Sequence, residues 1–382
     1  MIKKFLALSF IFVFTLLLGC SDDNKVTVPE NDSIQQELQA LIDAKTGKDK
    51  LVGVSVSIRQ GTKEKWKLVG GESNAGVTLS QNMKFGIASI TKTMVAAAIL
   101  KLKEEGKLNL EDPLSQYLDI EIENIDPSIT VFQLLNHFTG LKGYFQHPDI
   151  WPRVEGNLEL AIPANELLSY IGEPVSKPGD RFEYSNSNYL VLGLIIQEVS
   201  GMSVGEYLRS RFWKPLALNN TFFGTNEQIP SPVADAWRDT DGDGILENIS
   251  DQFGPAYHSV FFTAADAFTS ASDLSMWAQH LYNGEALHPD SLSEMLDIIT
   301  INSGSPYWTG YGLGVRRFFI SGRVLYGHTG GMRGYGSYML YDPISKISIA
   351  LLNNQSRSKD GPVLRFELVE DMLRIVFDEL GN

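Results

Sequence analysis

The chain has 382 residues, 43% of them hydrophobic and 20% charged, so it can bury a sizeable core in one large domain or two closely packed ones. Its formal net charge is -14. An acidic surface repels phosphate backbones, which argues against nucleic acid as a partner.

The N-terminus has the pattern of a targeting segment. Lys3 and Lys4 precede an apolar run that ends at Leu18 and is too short to span a bilayer with ease. The run leads into Leu17-Leu18-Gly19-Cys20, which resembles the lipobox of bacterial lipoproteins, where the cysteine is lipidated. An ordinary signal peptide is the alternative. We expect residues 1–20 to be a lipoprotein signal peptide with Cys20 as the lipid anchor.

The acidic tract Ser21-Asp22-Asp23-Asn24 resembles the signal that sends some bacterial lipoproteins to the cell surface. We therefore expect a membrane-anchored protein of the cell envelope, at the outer membrane or cell surface, with the leaflet left open. Cys20 is the only cysteine, so the folded part has no thiol and no disulfide.

After a polar tether at 21–32, residues 33–382 are expected to form one folded domain. A capping-box pattern at Ser33 and Gln36 predicts a helix that stops at Gly47, and alternation in 52–58 predicts a strand followed by another around Trp66. The later elements are helices at 89–105, 188–200, 203 onward, 272–283, 290–299 and 363–380, and strands at 315–320, 324–326, 335–341 and 346–352.

Strands at both ends of the chain are not stable alone, and they join most simply as one antiparallel sheet. The predicted fold class is α/β, more strictly α+β: five strands flanked by the N- and C-terminal helices, with an inserted helical region. The sheet part comprises 33–88 and about 255–382, and the helical part about 89–254. A cleft is expected where the two parts meet.

The stretch FGIASITKTMVAAAILKLKEEGK begins at residue 85 and carries an ammonium group on an apolar helix face. Ser89 and Lys92 are three residues apart, so they share that face near the helix N-terminus. Loss of hydration disfavours the charged form of a lysine, and a neutral lysine can take a proton from serine. An N-cap serine beside a solvated lysine is the alternative, because such pairs are common.

Two further stretches favour a functional interpretation of Ser89 and Lys92. RFEYSNSNYLVLG at 181–193 contains Tyr-Ser-Asn, and YGHTGGMRGYGSY at 326–338 contains His-Thr-Gly. With Ser-Ile-Thr-Lys at 89–92, these triplets resemble, in order and spacing, the three signatures of the penicillin-recognising serine hydrolases. The closest branch is the class C β-lactamase and D-Ala-D-Ala carboxypeptidase family. LLNHFTGL at 134–141 and YGLGV at 311–315 resemble further family segments, and the likeness covers about 34–380.

The resemblance implies a role for each matching residue. Ser89 resembles the nucleophile that becomes acylated, and Lys92 and Tyr184 resemble the pair that manages its proton. Substrate-binding positions would be Asn186, which holds the substrate amide, and four residues of the opposite wall: His328, Thr329, Gly330 and Gly331. The backbone amides of Ser89 and Gly331 would form the oxyanion hole.

The family needs no cofactor and no metal, so none is expected here. We expect a small-molecule or short-peptide substrate and a monomer. Within the family we rank a D-Ala-D-Ala carboxypeptidase or β-lactamase-like enzyme first, a carboxylesterase second and a D-amino-acid amidase third. A non-catalytic binding protein with the same fold is the alternative from another class, and loss of Ser89, Lys92 or Tyr184 would have favoured it.

One position departs from the β-lactamase pattern. Many β-lactamases of this group have lysine where this chain has His328, and histidine resembles the carboxypeptidase and esterase-like branches. Because histidine titrates near neutrality, we expect activity on carboxylate-bearing substrates to weaken as pH rises through the His328 titration. Arg333 lies nearby as a possible second charge, with an exposed structural arginine as the simpler interpretation.

An acidic loop, DTDGDGILENIS, begins at residue 239. Asp239, Asp241 and Asp243 occupy ligand positions of a calcium loop, but Ser250 stands where a bidentate acid is wanted. A solvated loop is the simpler interpretation, and a calcium-dependent surface adhesin would rest only on this loop and the lipid anchor. The histidines without metal-ligand spacing are read as structural or solvated: His137, His147, His258, His280 and His288.

Overall fold

The computed structural model describes residues 30–119, 122–302, 304–305, 307–356 and 360–380. The predicted signal peptide with Cys20 and nearly all of the tether lie outside this part of the chain. Among the helices it does describe, none combines the length and apolar character needed to cross a membrane.

Strands from both ends of the chain form a central antiparallel sheet in the order β3-β2-β1-β14-β13-β12-β11-β10-β9. Its strands are β1 (Gly53–Gln60), β2 (Lys63–Asn74), β3 (Val77–Thr78), β9 (Ile299–Thr300), β10 (Trp308–Tyr311), β11 (Arg316–Ile320), β12 (Arg323–Met332), β13 (Tyr335–Asp342) and β14 (Ile347–Asn353). Short strands form two small sheets: β4 (Phe85–Gly86), β5 (Phe222–Phe223) and β8 (Ala267–Thr269) in one, β6 (Trp237–Arg238), β7 (Glu247–Asn248) and β15 (Gln355–Ser356) in the other.

The helices divide between the sheet and a separate helical region. They are α1 (Glu30–Lys45), α2 (Thr91–Glu104), α3 (Val131–Asn136), α4 (Ile150–Gly156), α5 (Ala164–Leu167), α6 (Asn186–Ser200), α7 (Val204–Leu208), α8 (Pro255–Ala265), α9 (Ala271–Tyr282), α10 (Pro289–Met295) and α11 (Gly361–Leu380). Helices α1 and α11 pack on one face of the sheet, and α9 packs on the other.

Strand β1 shows how the sequence produces these layers. Its alternate residues Val54, Val56 and Ile58 join the core beneath α1 and α11. Ser57 and Arg59 point to the opposite face, where both reach the Ser275 hydroxyl of α9. Period-two alternation thus buries apolar side chains on one face and hydrogen-bonded polar ones on the other.

The predicted fold class is confirmed, and the structure refines several bounds. The sheet has more strands than the expected five because short strands extend both of its edges. Helix α1 already begins at Glu30, so Ser33 lies inside it and does not cap it, and α10 ends at Met295. Helix α8 packs against α2 and α6, so the segment expected to begin the sheet part at about 255 starts within the helical region.

Candidate active site

Ser89 lies in a tight turn, Ala88–Ile90, that leads directly into α2. The turn is strained, because Ala88 has φ of 50°, a conformation that costs a non-glycine residue about 1–2 kcal/mol. Neighbouring strands hold it there: the amide of Ile87 donates to the Ala267 carbonyl at 2.9 Å, and Ser337 Oγ donates to the Ile87 carbonyl at 2.9 Å. Ser89 stays partly exposed at the end of a buried helix.

Lys92 follows one helical turn later and is fully buried. Its Nζ lies 3.1 Å from Ser89 Oγ, 2.8 Å from Asn186 Oδ1 and 2.7 Å from the Ala264 carbonyl oxygen. No carboxylate pairs with it among the described residues. The serine and lysine of the sequence motif are therefore in hydrogen-bond contact, away from bulk water.

The surroundings of Lys92 favour a neutral amine. Burial lowers its pKa and the Arg316 charge lowers it further, while Tyr184 acts in the opposite direction. A neutral amine has two protons and one lone pair. Asn186 Oδ1 and the Ala264 carbonyl oxygen can only accept, so the two amine protons are donated to them. The lone pair then faces Ser89 Oγ, whose hydroxyl can donate to it. This arrangement can accept the serine proton.

Tyr184 stands on the same side of Lys92. Its hydroxyl is buried and has no hydrogen-bond partner of good geometry among the described residues, and Lys92 Nζ lies 5.2 Å from the centre of its ring. Burial raises the pKa of Tyr184, but Lys92 in its ammonium form, the Arg316 charge and the neighbouring Ser89 hydroxyl outweigh it, so the net shift is downward while Lys92 keeps its proton. A buried hydroxyl with no partner is costly, which points to a group kept for an incoming ligand.

Asn186 is the first residue of α6, a helix that is buried along most of its length. The Ser185 side chain caps that helix by accepting from the Ser187 amide at 3.2 Å. Asn186 therefore has a fixed position, with Oδ1 on Lys92 and the residue lining the cleft beside Ser89.

The cleft has a volume of about 580 Å³ and lies where the sheet meets the helical region. Its described lining residues include no aspartate or glutamate but three arginines, Arg238, Arg333 and Arg365. Arg365 is held by neutral acceptors, at 3.0 Å from Asn353 Oδ1 and 3.2 Å from the Gln355 carbonyl oxygen. Arg333 pairs with Glu155 at 2.8 Å and so lies in a rim ion pair. The cleft is locally cationic on an acidic chain.

The glycines of the opposite wall serve two different purposes. A Cβ on Gly330 would lie 2.1 Å from the Ile87 carbonyl oxygen, so only glycine lets β12 approach the Ser89 turn this closely. A Cβ on Gly331 would meet nothing within 4 Å, and this exposed glycine lines the cleft.

His328 lies elsewhere than we expected. The ring is fully buried, with Nδ1 2.6 Å from the Thr329 carbonyl oxygen and Nε2 3.2 Å from the Tyr311 hydroxyl. Burial lowers the pKa of His328 well below its usual value, and the charges of Arg316 and Lys92 add to this effect. A buried ring with both nitrogens occupied and a lowered pKa does not support the expected weakening of carboxylate binding through a His328 titration at neutral pH, which stays a prediction.

His137, which we read only as structural or solvated, contacts the site directly. Its ring centre lies 4.4 Å from that of Tyr184. Nδ1 accepts from the Ser185 amide at 3.2 Å, so Nε2 carries the proton and donates to the Tyr311 hydroxyl, also at 3.2 Å. Tyr311 can then donate to His328 Nε2. This chain of neutral groups packs behind Tyr184.

Arg316, which sequence reasoning missed, supplies the cation of this wall. Its guanidinium donates to Thr329 Oγ1 at 2.5 Å and lies 5.3 Å from the ring centre of Tyr184 and 4.3 Å from that of Trp308. The only sequence signal was an arginine directly after YGLGV, at the start of a strand. Thr329 is thus joined to a permanent positive charge.

The acidic loop begins directly after Arg238, and none of its three aspartates is among the described residues that line the Ser89 cleft. Carboxylate oxygens of Asp239, Asp241 and Asp243 lie within 4.8 Å of one another. They also accept backbone amides of their own loop, including Gly242 N to Asp239 at 2.6 Å and Ile245 N to Asp243 at 2.7 Å. These hydrogen bonds explain the spaced aspartates of the loop, since each carboxylate stabilises an ordered turn of the backbone.

Known proteins resemble this chain over most of its length. The family model described as Beta-lactamase matches residues 38–371. The protein flp of Staphylococcus aureus strain MRSA252 is 28% identical over 332 residues, which cover 85% of this chain and 63% of that protein. The chain thus spans less than two thirds of the length of this curated relative.

Two solved structures share the fold. A D-stereospecific amidohydrolase from Streptomyces sp. has a TM-score of 0.77 and 26% identity, covering 93% of this chain and 100% of its own. An octameric penicillin-binding protein homologue from Pyrococcus abyssi has a TM-score of 0.70 and 26% identity, covering 84% of this chain and 73% of its own. That octamer leaves the expected monomeric state of this chain a prediction.

Proposed function

Because the chain belongs to the Beta-lactamase family, we propose that it is a serine hydrolase that forms an acyl-enzyme through Ser89. The observation that carries the proposal is the contact of Ser89 Oγ with a buried Lys92 that has no carboxylate partner among the described residues. A binding protein that retained only the fold would have no use for a buried amine at this place.

The proposed reaction begins at the neutral amine of Lys92, which takes the Ser89 proton as Oγ bonds to the substrate carbonyl carbon. The backbone amides of Ser89 and Gly331 stabilise the negative oxygen. The carbonyl carbon then loses its bond to the leaving nitrogen or oxygen, which takes a proton through Tyr184. Water attacks the acyl-serine, gives up a proton through the same groups, and releases the acid and free Ser89.

The charge of the cleft supports a substrate that carries a carboxylate. Arg238 and Arg365 line the cleft with no acidic side chain among its described residues, whereas Arg333 at the rim is paired with Glu155. Arg316 stands behind Thr329. Such a cleft attracts anions and repels a free ammonium group. We therefore place a D-Ala-D-Ala-type peptide with a free C-terminus, or a β-lactam, ahead of a D-amino-acid amide.

The second candidate is a D-amino-acid amidase, and the likeness to the Streptomyces D-stereospecific amidohydrolase favours it. A carboxylesterase has no such specific support.

Four substrates separate these candidates: a peptide ending in D-Ala-D-Ala, the same peptide with an amidated C-terminus, a chromogenic cephalosporin, and a D-phenylalanine amide. A p-nitrophenyl ester reports acylation, and Ser89→Ala is the control. We expect turnover of the free-acid peptide or the cephalosporin and at least tenfold less of the amidated peptide. Preference for the D-amino-acid amide would overturn the ranking, and reaction of Ser89→Ala at the wild-type rate would overturn the mechanism.

Lipid attachment at Cys20 is a separate proposal that rests on the sequence alone. Lys3, Lys4 and the apolar run before Leu17-Leu18-Gly19-Cys20 support it. We expect cells that express the full chain to incorporate labelled palmitate into it, and Cys20→Ser to abolish the label. Equal labelling of the two forms would exclude Cys20 as the anchor.

A further inference from the structure

A buried acid–histidine pair lies outside the Ser89 cleft. The Asp266 carboxylate has no exposed surface and accepts from the amide and the hydroxyl of Thr225 and, at 2.7 Å, from His258 Nδ1. His258 lines a different cavity of about 560 Å³. Nothing in the reaction proposed above uses this pair, yet a buried carboxylate needs strong partners to be tolerated.

Asp266 lies within a short segment, 264–267, that touches the catalytic turn at several points. The Ala264 carbonyl oxygen accepts from Lys92 Nζ at 2.7 Å. The Ala267 amide donates to Thr91 Oγ1 at 3.1 Å, and the Ala267 carbonyl oxygen accepts from the Ile87 amide at 2.9 Å. A movement of this segment would therefore move a hydrogen-bond partner of Lys92 and two supports of the Ser89 turn together.

The backbone leading into this segment is strained. Phe262 has φ of 33° and ψ of -137°, which breaks the regular geometry of α8 just before its end. Such a conformation in a bulky residue persists only where the surroundings over-determine it. The Asp266 amide bonds back to the Phe262 carbonyl at 3.0 Å, so Asp266 lies at the far end of the strained turn. Its side chain is held there by Thr225 and His258.

The chain also makes room for the histidine. A Cβ on Gly224 would lie 2.1 Å from His258 Nδ1. The absence of a side chain there lets the ring reach Asp266 from α8, where His258 lies two turns before the carboxylate. The pair, the glycine and the kink thus form one local arrangement.

We propose that Asp266 and His258 are positioning residues that hold the Ala264 carbonyl against Lys92 and thereby keep the amine aimed at Ser89. The proposal rests on the proposed function in one respect, namely that Lys92 receives the serine proton. In Asp266→Asn one of the two accepting oxygens becomes an amide NH2 group. Toward Thr225 this group would face two donors. Toward His258 it requires the ring to move its proton to Nε2, and the charge-assisted hydrogen bond is lost, so the segment is held less firmly.

The test compares Asp266→Asn with the matched variant Asp273→Asn. Asp273 is also buried, at 5% exposed, and accepts from the Asn220 amide at 2.7 Å and from Thr221 Oγ1 at 3.2 Å. It makes no hydrogen bond to residues 264–267 among those described. Both substitutions should lower the midpoint of urea unfolding, so a general loss of stability is matched between them.

The decisive readout is the rate of acylation of Ser89 by a p-nitrophenyl ester, followed as a burst across pH. We expect Asp266→Asn to lower the rate on the order of 10- to 100-fold, because a misplaced catalytic group loses about that much, and to displace the limb of the profile set by Lys92. Asp273→Asn should stay within about threefold of the wild type and keep its profile. Equal rates for the two variants would overturn the proposal.

His258 provides a second series if Asp266→Asn does not fold. His258→Asn places an amide N–H close to the original Nδ1 and should retain most of the rate, whereas His258→Leu removes the donor and should not. Equal rates for these two variants would contradict the proposal.

The ¹⁵N resonance of Lys92 Nζ provides a measurement that needs no turnover. Its titration midpoint should fall in Asp266→Asn and stay unchanged in Asp273→Asn, since loss of a carbonyl acceptor disfavours the ammonium form. If the wild type does not acylate but this shift occurs, the proposed function fails and the positioning role stands. If the wild type acylates and the midpoint does not move, the proposed function stands and the positioning role fails.

Discussion

Replacement of Lys92 by methionine tests the proton transfer at the centre of the site. Methionine matches the length of the lysine stem, so the apolar contacts of the buried side chain are retained. The substitution removes the hydrogen bonds to Ser89, Asn186 and the Ala264 carbonyl. The two acceptors left without a partner cost about 1–3 kcal/mol each, while removal of a buried amine offsets part of this cost.

The expected effect on rate is far larger than the effect on stability. General base catalysis contributes about 10²- to 10⁴-fold, which is about 2.7–5.4 kcal/mol of barrier at 1.36 kcal/mol per decade. We therefore expect Lys92→Met to lower the acylation rate by that factor, with a free energy of unfolding within about 2 kcal/mol of the wild type.

The assay is burst kinetics with a p-nitrophenyl ester, accompanied by urea unfolding, with Ser89→Ala as the inactive reference. Refutation would take the form of a folded Lys92→Met protein that acylates within threefold of the wild type at pH 7–8 while Ser89→Ala does not react. Tyr184 alone would then be the base, and Lys92 a structural residue.

Three further outcomes follow from the site. Arg316→Met removes a charge that lowers the pKa of Tyr184. If the phenolate is the active form, the acidic limb of the kcat/KM profile should therefore move to higher pH. An unmoved limb would show that Arg316 does not set the pKa of Tyr184. Burial lowers the pKa of His328 in the folded protein. Below about pH 6.5 the imidazole therefore takes up a proton in the unfolded chain but not in the folded one, and the free energy of unfolding decreases as the pH is lowered. Between pH 6.5 and 5 the wild type should lose a total of about 1.6 kcal/mol more than His328→Gln in urea unfolding, because the slope reaches about 1.4 kcal/mol per pH unit only well below pH 6.5. Parallel curves would contradict a neutral His328. Gly330→Ala should lower the free energy of unfolding by about 1–3 kcal/mol or more, because the new Cβ meets the Ile87 carbonyl oxygen. Gly331→Ala should keep the free energy of unfolding within about 0.5 kcal/mol of the wild type. Equal losses in the two variants would show that β12 does not pack tightly against the Ser89 turn.

Elements with strong local signals were predictable from the sequence. Alternation identified β1, and the helices predicted at 89–105 and 188–200 correspond to α2 and α6. The helix predicted from 203 onward is α7, which Ser203 and Glu206 cap. Short edge strands such as β3 and β9 carry too few residues to show a period, so the strand count was low. The start of α1 was misplaced because a capping-box pattern is equally allowed inside a helix.

Within the site, sequence motifs identified side chains but not their surroundings. Ser89, Lys92 and Asn186 come together as their motifs suggested. The Ala264 acceptor is a backbone carbonyl, and a backbone group leaves no signal in the sequence because every residue has one. His328 carries the motif, yet burial beside Tyr311 and the nearby Arg316 charge lower its pKa, and Arg316 is the group that contacts Thr329. Such outcomes depend on contacts between distant segments.

The most direct measurement of the central claim is the mass of the protein after brief reaction with a chromogenic cephalosporin or a p-nitrophenyl ester, followed by peptide mapping. We predict one covalent acyl adduct on the peptide that contains Ser89 and none on Ser89→Ala. An adduct on another residue, or full turnover by Ser89→Ala, would contradict the account.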